Sequence, residues 1–321
     1  MKGFMKNILA VLFITHSFCV SCTIFKPMPV YDNIWVNEYR PFEKGTKAVA
    51  LLEPSTFKLE NDLPRLDGAT ALYPLYSAFV QAVYPEGEYS PYKRTSESLV
   101  SVNTTSSAYK NLINGDVDII FCAKPSTEQI EMAKGKGVEF NMTPIGKEAF
   151  VFFVNKRNRV SNLTTEQIRN IYSGQITNWS ELGGRRDNIR VYQRPKNSGS
   201  QTMLISIMGD VKIIEPITED VLDFMLSIVT ETSVYRNYNN ALGYSFLFYT
   251  AQMVRNDKIK LLSINNIFPS KETIQNGTYP YSDQFYAITT NTENENVNKF
   301  IEWILSEQGQ YLVEKTGYVP I

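Results

Sequence analysis

Arg194-Pro195-Lys196-Asn197-Ser198-Gly199-Ser200-Gln201-Thr202 lies between a β-like run, Ile189-Arg190-Val191-Tyr192, and an apolar-periodic segment, Met203-Leu204-Ile205-Ser206-Ile207-Met208. The order is strand, small hydroxylated loop, helix. A loop of this kind opening a helix presents unpaired backbone N–H groups, side-chain hydroxyls and the positive end of the helix dipole to one point in space. Arg194 at its entrance adds a planar fork of donors suited to a tetrahedral oxyanion. Taken alone, the same residues also fit an ordinary Ser/Asn helix cap beside a solvated arginine.

The rest of the chain repeats the alternation. Lys47-Ala48-Val49-Ala50-Leu51-Leu52 reads as a β-like run, a helix is expected around Tyr73 to Val83, and a helix ending over Tyr109 to Asn114 precedes the strand Val117-Asp118-Ile119-Ile120-Phe121. Ala149-Phe150-Val151-Phe152-Phe153-Val154 reads as a buried strand, and Thr164-Thr165-Glu166-Gln167-Ile168 carries a capping-box helix start. Such alternation predicts an α/β fold with mainly parallel sheet, in which ligands sit at the C-terminal ends of strands beside helix N-termini. Two further hydroxyl-rich junctions fall there: Asp67-Gly68-Ala69-Thr70-Ala71 before a helix, and Asn103-Thr104-Thr105-Ser106-Ser107 before another. Three such junctions together point to an oxyanion held by neutral dipoles and one arginine.

The first residues read as an export signal. Lys2 and Lys6 precede the apolar run Ile8-Leu9-Ala10-Val11-Leu12-Phe13-Ile14, too short to span a bilayer, and then Cys19-Val20-Ser21-Cys22. Those four residues resemble a bacterial lipobox, with Cys19 where Leu is more usual, and make Cys22 the candidate lipidation site. Residues 1–21 would then be signal peptide and residues 22–45, with Pro27, Pro29 and Pro41, a tether. The expected product is an exported, membrane-anchored lipoprotein.

Cleavage before Cys22 removes His16, the sole histidine, and takes Lys plus Arg from 32 to 30 against 33 Asp plus Glu, a net charge of about −3. No basic excess is left for nucleic acid. A body without histidine excludes Ser-His-Asp and Cys-His catalysis and the common zinc sites. Carboxylate or lysine chemistry survives that test, but no motif argues for it, so no enzyme activity, cofactor or metal is expected. Cys122 is the one cysteine left to the body, and its place in or after a strand reads as a buried small apolar residue.

From about Leu66 onward the chain resembles the phosphate-binding proteins that serve bacterial phosphate ABC transporters, within the type II periplasmic-binding-protein fold. Gly68-Ala69-Thr70 looks like the first ligand loop, Thr105-Ser106-Ser107-Ala108-Tyr109-Lys110 like the second, and Arg194 with Ser198-Gly199-Ser200 like the third. Ile171-Tyr172-Ser173-Gly174-Gln175-Ile176-Thr177-Asn178-Trp179 and Gly243-Tyr244 are similar to further family signatures. The resemblance implies two α/β lobes joined by a two-strand hinge, each a mainly parallel sheet flanked by helices. It implies Thr70 and Thr105 as hydroxyl donors, Ala71 as a backbone donor, Ser198, Gly199 and Ser200 as the helix-N-terminal cradle, and Arg194 as the charged contact. Residues 46–147 plus 285–321 would form one lobe and 148–284 the other, with crossings near Lys147-Glu148-Ala149 and Ser282-Asp283-Gln284. The implied partners are phosphate or a similar oxyanion and the subunits of a permease, with the binding protein itself a monomer.

Two positions depart from that pattern. Ala123, in Cys122-Ala123-Lys124-Pro125, falls where an aspartate usually accepts the proton of the bound phosphate, and Lys196 falls where an acidic residue often pairs with the ligand arginine. An acceptor carboxylate rewards a protonated oxyanion and repels a fully deprotonated one, so its loss bears on selectivity. Lys124 and Lys196 would make the pocket more cationic unless they point to solvent, as lysines usually do. Asp67 and Asp283 are alternative acceptors. Two other readings stay open: a different oxyanion or small phosphorylated ligand, and an anion sensor or interaction protein of the same fold. Tyr244-Ser245-Phe246-Leu247-Phe248-Tyr249, Trp179 and Trp303 read as packing residues.

Overall fold

The computed structural model describes residues 36–93, 95–233 and 240–321. The expectations for the signal segment, Cys22 and most of the tether lie outside the described residues. Strand β1 (Leu66–Gly68) passes through the short 3-10 turn Thr70–Leu72 into helix α1 (Tyr73–Val83), whose residues are buried on nearly every side. Helix α2 (Thr105–Asn114) is capped by the Thr104 side chain, which accepts from the Ser107 N–H, and stops at Gly115, whose φ of 77° closes the last turn. Then follow β2 (Ile119–Cys122), α3 (Thr127–Gly135) and the long β3 (Asn141–Asn155).

The second half of the chain holds β4 (Asn162–Leu163), α4 (Thr165–Tyr172), β5 (Arg190–Val191), α5 (Gly199–Met208), α6 (Met225–Ser233) and β6 (Ala241–Phe246). Next come β7 (Ile259–Leu261), β8 (Ser263–Ile264), α7 (Lys271–Gln275) and β9 (Ser282–Thr289). Helices α8 (Glu295–Leu305) and α9 (Glu307–Thr316) end the chain. The capping box expected at Thr164 is present, with the Thr164 side chain and Gln167 serving each other's backbone N–H groups.

The main sheet runs β1-β2-β9-β3-β6-β5, with β7 also on β3. The first half of β3, Asn141 to Ala149, pairs with β9, and its second half, Phe150 to Asn155, pairs with β6 and β7. One strand thus belongs to two groups of helices and strands, which gives the α/β fold its two halves. The sheet is mixed rather than mainly parallel: β1/β2 and β5/β6 are parallel, whereas β2/β9, β3/β9, β3/β6 and β3/β7 are antiparallel. The chain crosses between the halves outward on β3 and back on the neighbouring β9, so those strands must oppose. Apolar runs buried on both faces, as in Phe150 to Val154, carry no mark of strand direction, which is why alternation alone did not reveal this. The run Lys47 to Leu52 is not a strand. Among the described residues no strand pairs with it, and Leu52 is 82% exposed.

Aromatic side chains fill the core of the second half, where Phe150, Phe152, Tyr172 and Tyr244 meet with centroids 5.4 to 6.2 Å apart. Gly243 permits this density, because a Cβ there would stand 2.5 Å from the Phe153 ring and 2.6 Å from Thr232 Oγ1. Trp179 and Trp303 are buried packing residues, and Cys122 is a buried thiol whose pKa burial pushes up.

Candidate functional site

Helix α5 begins at the loop singled out from the sequence. Ser198 is its N-cap, with the side-chain oxygen accepting from the Gln201 N–H at 3.2 Å, and Asn197 turns the chain into it with φ of 72°. Gln201 fastens the approach to the helix: its Oε1 accepts from the Arg194 N–H at 2.9 Å and from the Tyr244 hydroxyl, and its Nε2 donates to Gln193 Oε1 at 3.1 Å. The Arg194 guanidinium, on a residue only 8% exposed, donates through Nη1 to the Leu222 carbonyl at 3.1 Å. The N–H groups of Gly199 and Ser200 belong to the first turn, where no intrahelical acceptor exists. Beside them the Ser200 hydroxyl is buried with no hydrogen-bond partner.

The facing wall comes from the other half of the molecule. Gly68 lets β1 run tightly against β2, since a Cβ there would lie 2.7 Å from the Phe121 carbonyl oxygen, and the chain then turns at Ala69 and Thr70. Asp67 lies beneath these loops, fully buried. It accepts from Asn103 Nδ2 at 3.0 Å, Asn111 Nδ2 at 2.8 Å and the Gly68 N–H at 2.8 Å, so it ties the first loop to the second. Burial pushes its carboxyl up to about 6, against the opposing pull of those donors.

Between the walls lies a pocket of about 50 Å³, room for a few waters or one small tetrahedral ion. Thr70, Thr105, Arg194, Ser198, Gly199 and Ser200, all singled out from the sequence, line it together with Asn103 and Thr104. Ala71 lines instead an adjoining cavity of about 220 Å³, as does Ala123. At Gly199 the walls approach closely: a Cβ there would sit 3.2 Å from Thr105 Oγ1. Among the described lining residues of the small pocket Arg194 carries the single formal charge.

Neither lysine makes this pocket more cationic. Lys196 is turned outward and pairs with Glu128 at 2.8 Å, and Lys124 pairs with Asp283 at 2.9 Å at the edge of the larger cavity. Asp283 is therefore engaged, and Asp67 lies under the loops and outside both linings. The walls are also joined directly, by Ser126 Oγ to Asn197 Oδ1 at 2.7 Å and Gln129 Nε2 to the Asn197 carbonyl at 3.3 Å.

Sequence reasoning gave no individual site role to Glu148, Gln201, Asn197 or Asn103. Glu148 is buried on β3, lines the larger cavity, and accepts from the Phe248 N–H at 2.7 Å; burial pushes its carboxyl up to about 8. Its signal in the sequence was an acidic residue at the head of the apolar run Ala149 to Val154. Phe246 and Tyr249, read as packing residues, reach the larger cavity and the small pocket respectively. Among the described residues no group of His, Cys, Asp or Glu is placed to hold a metal ion, and no helix is long and apolar enough to cross a membrane.

A pocket between two α/β halves, with the N-terminus of α5 on one side and the Ala69-Thr70 and Thr104-Thr105 loops on the other, defines the class. The chain belongs to the PBP superfamily, whose domain model matches residues 63–308. It is similar to the phosphate-binding protein PstS of Borreliella burgdorferi, 27% identical over 187 residues that cover 56% of this chain and 65% of that protein. It is also similar to PstS of Bacillus subtilis, 28% identical over 170 residues covering 52% of this chain and 53% of that one. The matched stretch thus spans between half and two thirds of these relatives. A Clostridium perfringens substrate-binding protein solved with bound phosphate shares the fold, with a TM-score of 0.60 at 24% identity over 80% of this chain and 98% of that one.

Proposed function

We propose that the protein captures inorganic phosphate between its two halves and delivers it to an ABC permease. The observation that carries this is that Arg194, Ser198, Gly199 and Ser200, at the start of α5, line one pocket together with Thr70 and Thr105, and that the Ser200 hydroxyl has no hydrogen-bond partner among the described residues. Such a site replaces the hydration shell of an anion with fixed donors and offers no nucleophile with a base, so the reading is of a binder and not an enzyme.

Closure would move residues 148–284 against residues 46–147 plus 285–321. The pairing of Lys147, Glu148 and Ala149 with Gln284, Asp283 and Ser282 supports a reading in which the two crossings lie side by side and a bend in two strands would serve as hinge. Thr70, Ala71 and Thr105 approach the ion from the first part and Arg194, Ser198, Gly199 and Ser200 from the second. The reading includes an exported monomer anchored through lipid on Cys22, with residues 22–45 as tether. Names borne by the relatives support phosphate as the ligand.

A thermal-shift series on the full-length protein with phosphate, sulfate and chloride tests the ligand. A rise in Tm with phosphate concentration that chloride does not reproduce supports the reading. No phosphate-dependent shift at millimolar concentrations would sink it.

A further inference from the structure

Ala69, Thr105, Gly199 and Met225 line both the small pocket and the cavity of about 220 Å³, so the two spaces share a border. The cavity is several times larger than the pocket an ion fills, and Leu72, Ala123, Phe150, Met203, Phe246 and Phe285 make most of its surface apolar. An inorganic ion seated in the cradle would leave it filled with water against aromatic rings.

The border carries a chemical signature too. A protonated phosphate oxygen needs an acceptor, yet the side chain at the border is the methyl of Ala123, 3.7 Å from where a Cβ on Gly199 would sit. The nearby carboxyl groups are engaged: Asp283 holds Lys124, Asp67 lies beneath the loops, and Glu148 accepts from the Phe248 N–H. An ester oxygen requires no acceptor, because it carries no proton. The cavity is close to net-uncharged at neutral pH, since Lys124 is paired with Asp283 and burial keeps the Glu148 carboxyl protonated, with its pKa up to about 8. Shape, polarity and the missing acceptor agree on a neutral, largely apolar substituent attached to a phosphate group.

We propose that the cavity is the compartment for the organic substituent of a small phosphate monoester whose phosphate group occupies the cradle. This rests on the phosphate reading above and extends the ligand class.

The test is calorimetric titration of the full-length protein with inorganic phosphate, phenyl phosphate and phenol. Phenyl phosphate is expected to bind at least about tenfold more tightly than inorganic phosphate, and phenol alone not measurably. Met203→Trp, which fills the compartment away from the cradle, is expected to remove that advantage and leave inorganic phosphate within about twofold. Phenyl phosphate binding no more tightly than inorganic phosphate overturns the inference and leaves the phosphate reading standing. So does a Met203→Trp variant that keeps the full preference. Binding of neither ligand overturns both. The comparison of ligands on the unmodified protein decides even where the variant does not fold.

Discussion

The Tyr244 hydroxyl and the Arg194 backbone N–H donate to the same oxygen, Oε1 of Gln201. A strand of the core thereby fixes the entrance of the anion cradle, and the Gly243-Tyr244 pair acquires a physical role: Gly243 lets β6 pack against Phe153, and Tyr244 reaches from that strand to the loop. Tyr244→Phe removes one buried hydrogen bond and leaves the packing. It is expected to cost about 1 kcal/mol of stability in denaturant unfolding and a comparable loss of phosphate affinity. Affinity falling with stability untouched would place Tyr244 in direct contact with the ligand.

Ser200 sets a sign. Its hydroxyl is buried with no protein partner among the described residues, and an unsatisfied buried group costs roughly 1–3 kcal/mol. Ser200→Ala should therefore leave the stability of the ligand-free protein equal or raised, while lowering phosphate affinity by about 1 kcal/mol. Unfolding and titration on one variant check both signs.

Gly199 faces Thr105 so closely that an added methyl would press on Oγ1 at 3.2 Å. Gly199→Ala is expected to hold the two walls apart and weaken phosphate binding by about 1–2 kcal/mol, with α5 itself intact by circular dichroism. Unchanged affinity would mean that the walls do not need this approach.

Glu148 makes stability depend on pH. Its carboxyl has a folded pKa of about 8 against an ordinary 4.5, so between those values the folded protein holds a proton that the unfolded chain has released. Stability from this group is present in full below the ordinary value and is lost as pH rises through about 8. Glu148→Gln should flatten the decline in unfolding midpoint between pH 6 and pH 9. Parallel curves for the two proteins would refute the assignment.

Much of this was legible in the sequence, and the parts that were not share a cause. The three loops could be read because small hydroxylated residues before an apolar-periodic run report local cap chemistry, and Thr104, Thr164 and Ser198 do cap their helices. Strand direction could not, since β3 and β9 are neighbours only through a pairing that spans more than a hundred residues. The fate of Lys196 and Lys124 likewise depended on Glu128 and Asp283, both far away in the chain. Gln201 looked like one more polar residue of a first turn. Its role follows from Tyr244, 43 positions on.

Because Lys196 pairs with Glu128 at the surface, Lys196→Ala should change phosphate affinity by less than about twofold. A larger loss, suppressed by salt, would return this lysine to the pocket.

The central claim is that Arg194 and the α5 cradle hold a phosphate group. Calorimetric titration of the full-length protein and of Arg194→Ala with inorganic phosphate tests it most directly. The account predicts saturable one-to-one binding by the unmodified protein and a loss of roughly 2–5 kcal/mol in the variant, as for a buried charge deprived of its partner. A change within the surface range of about 0.5 kcal/mol would contradict it and place the anion elsewhere.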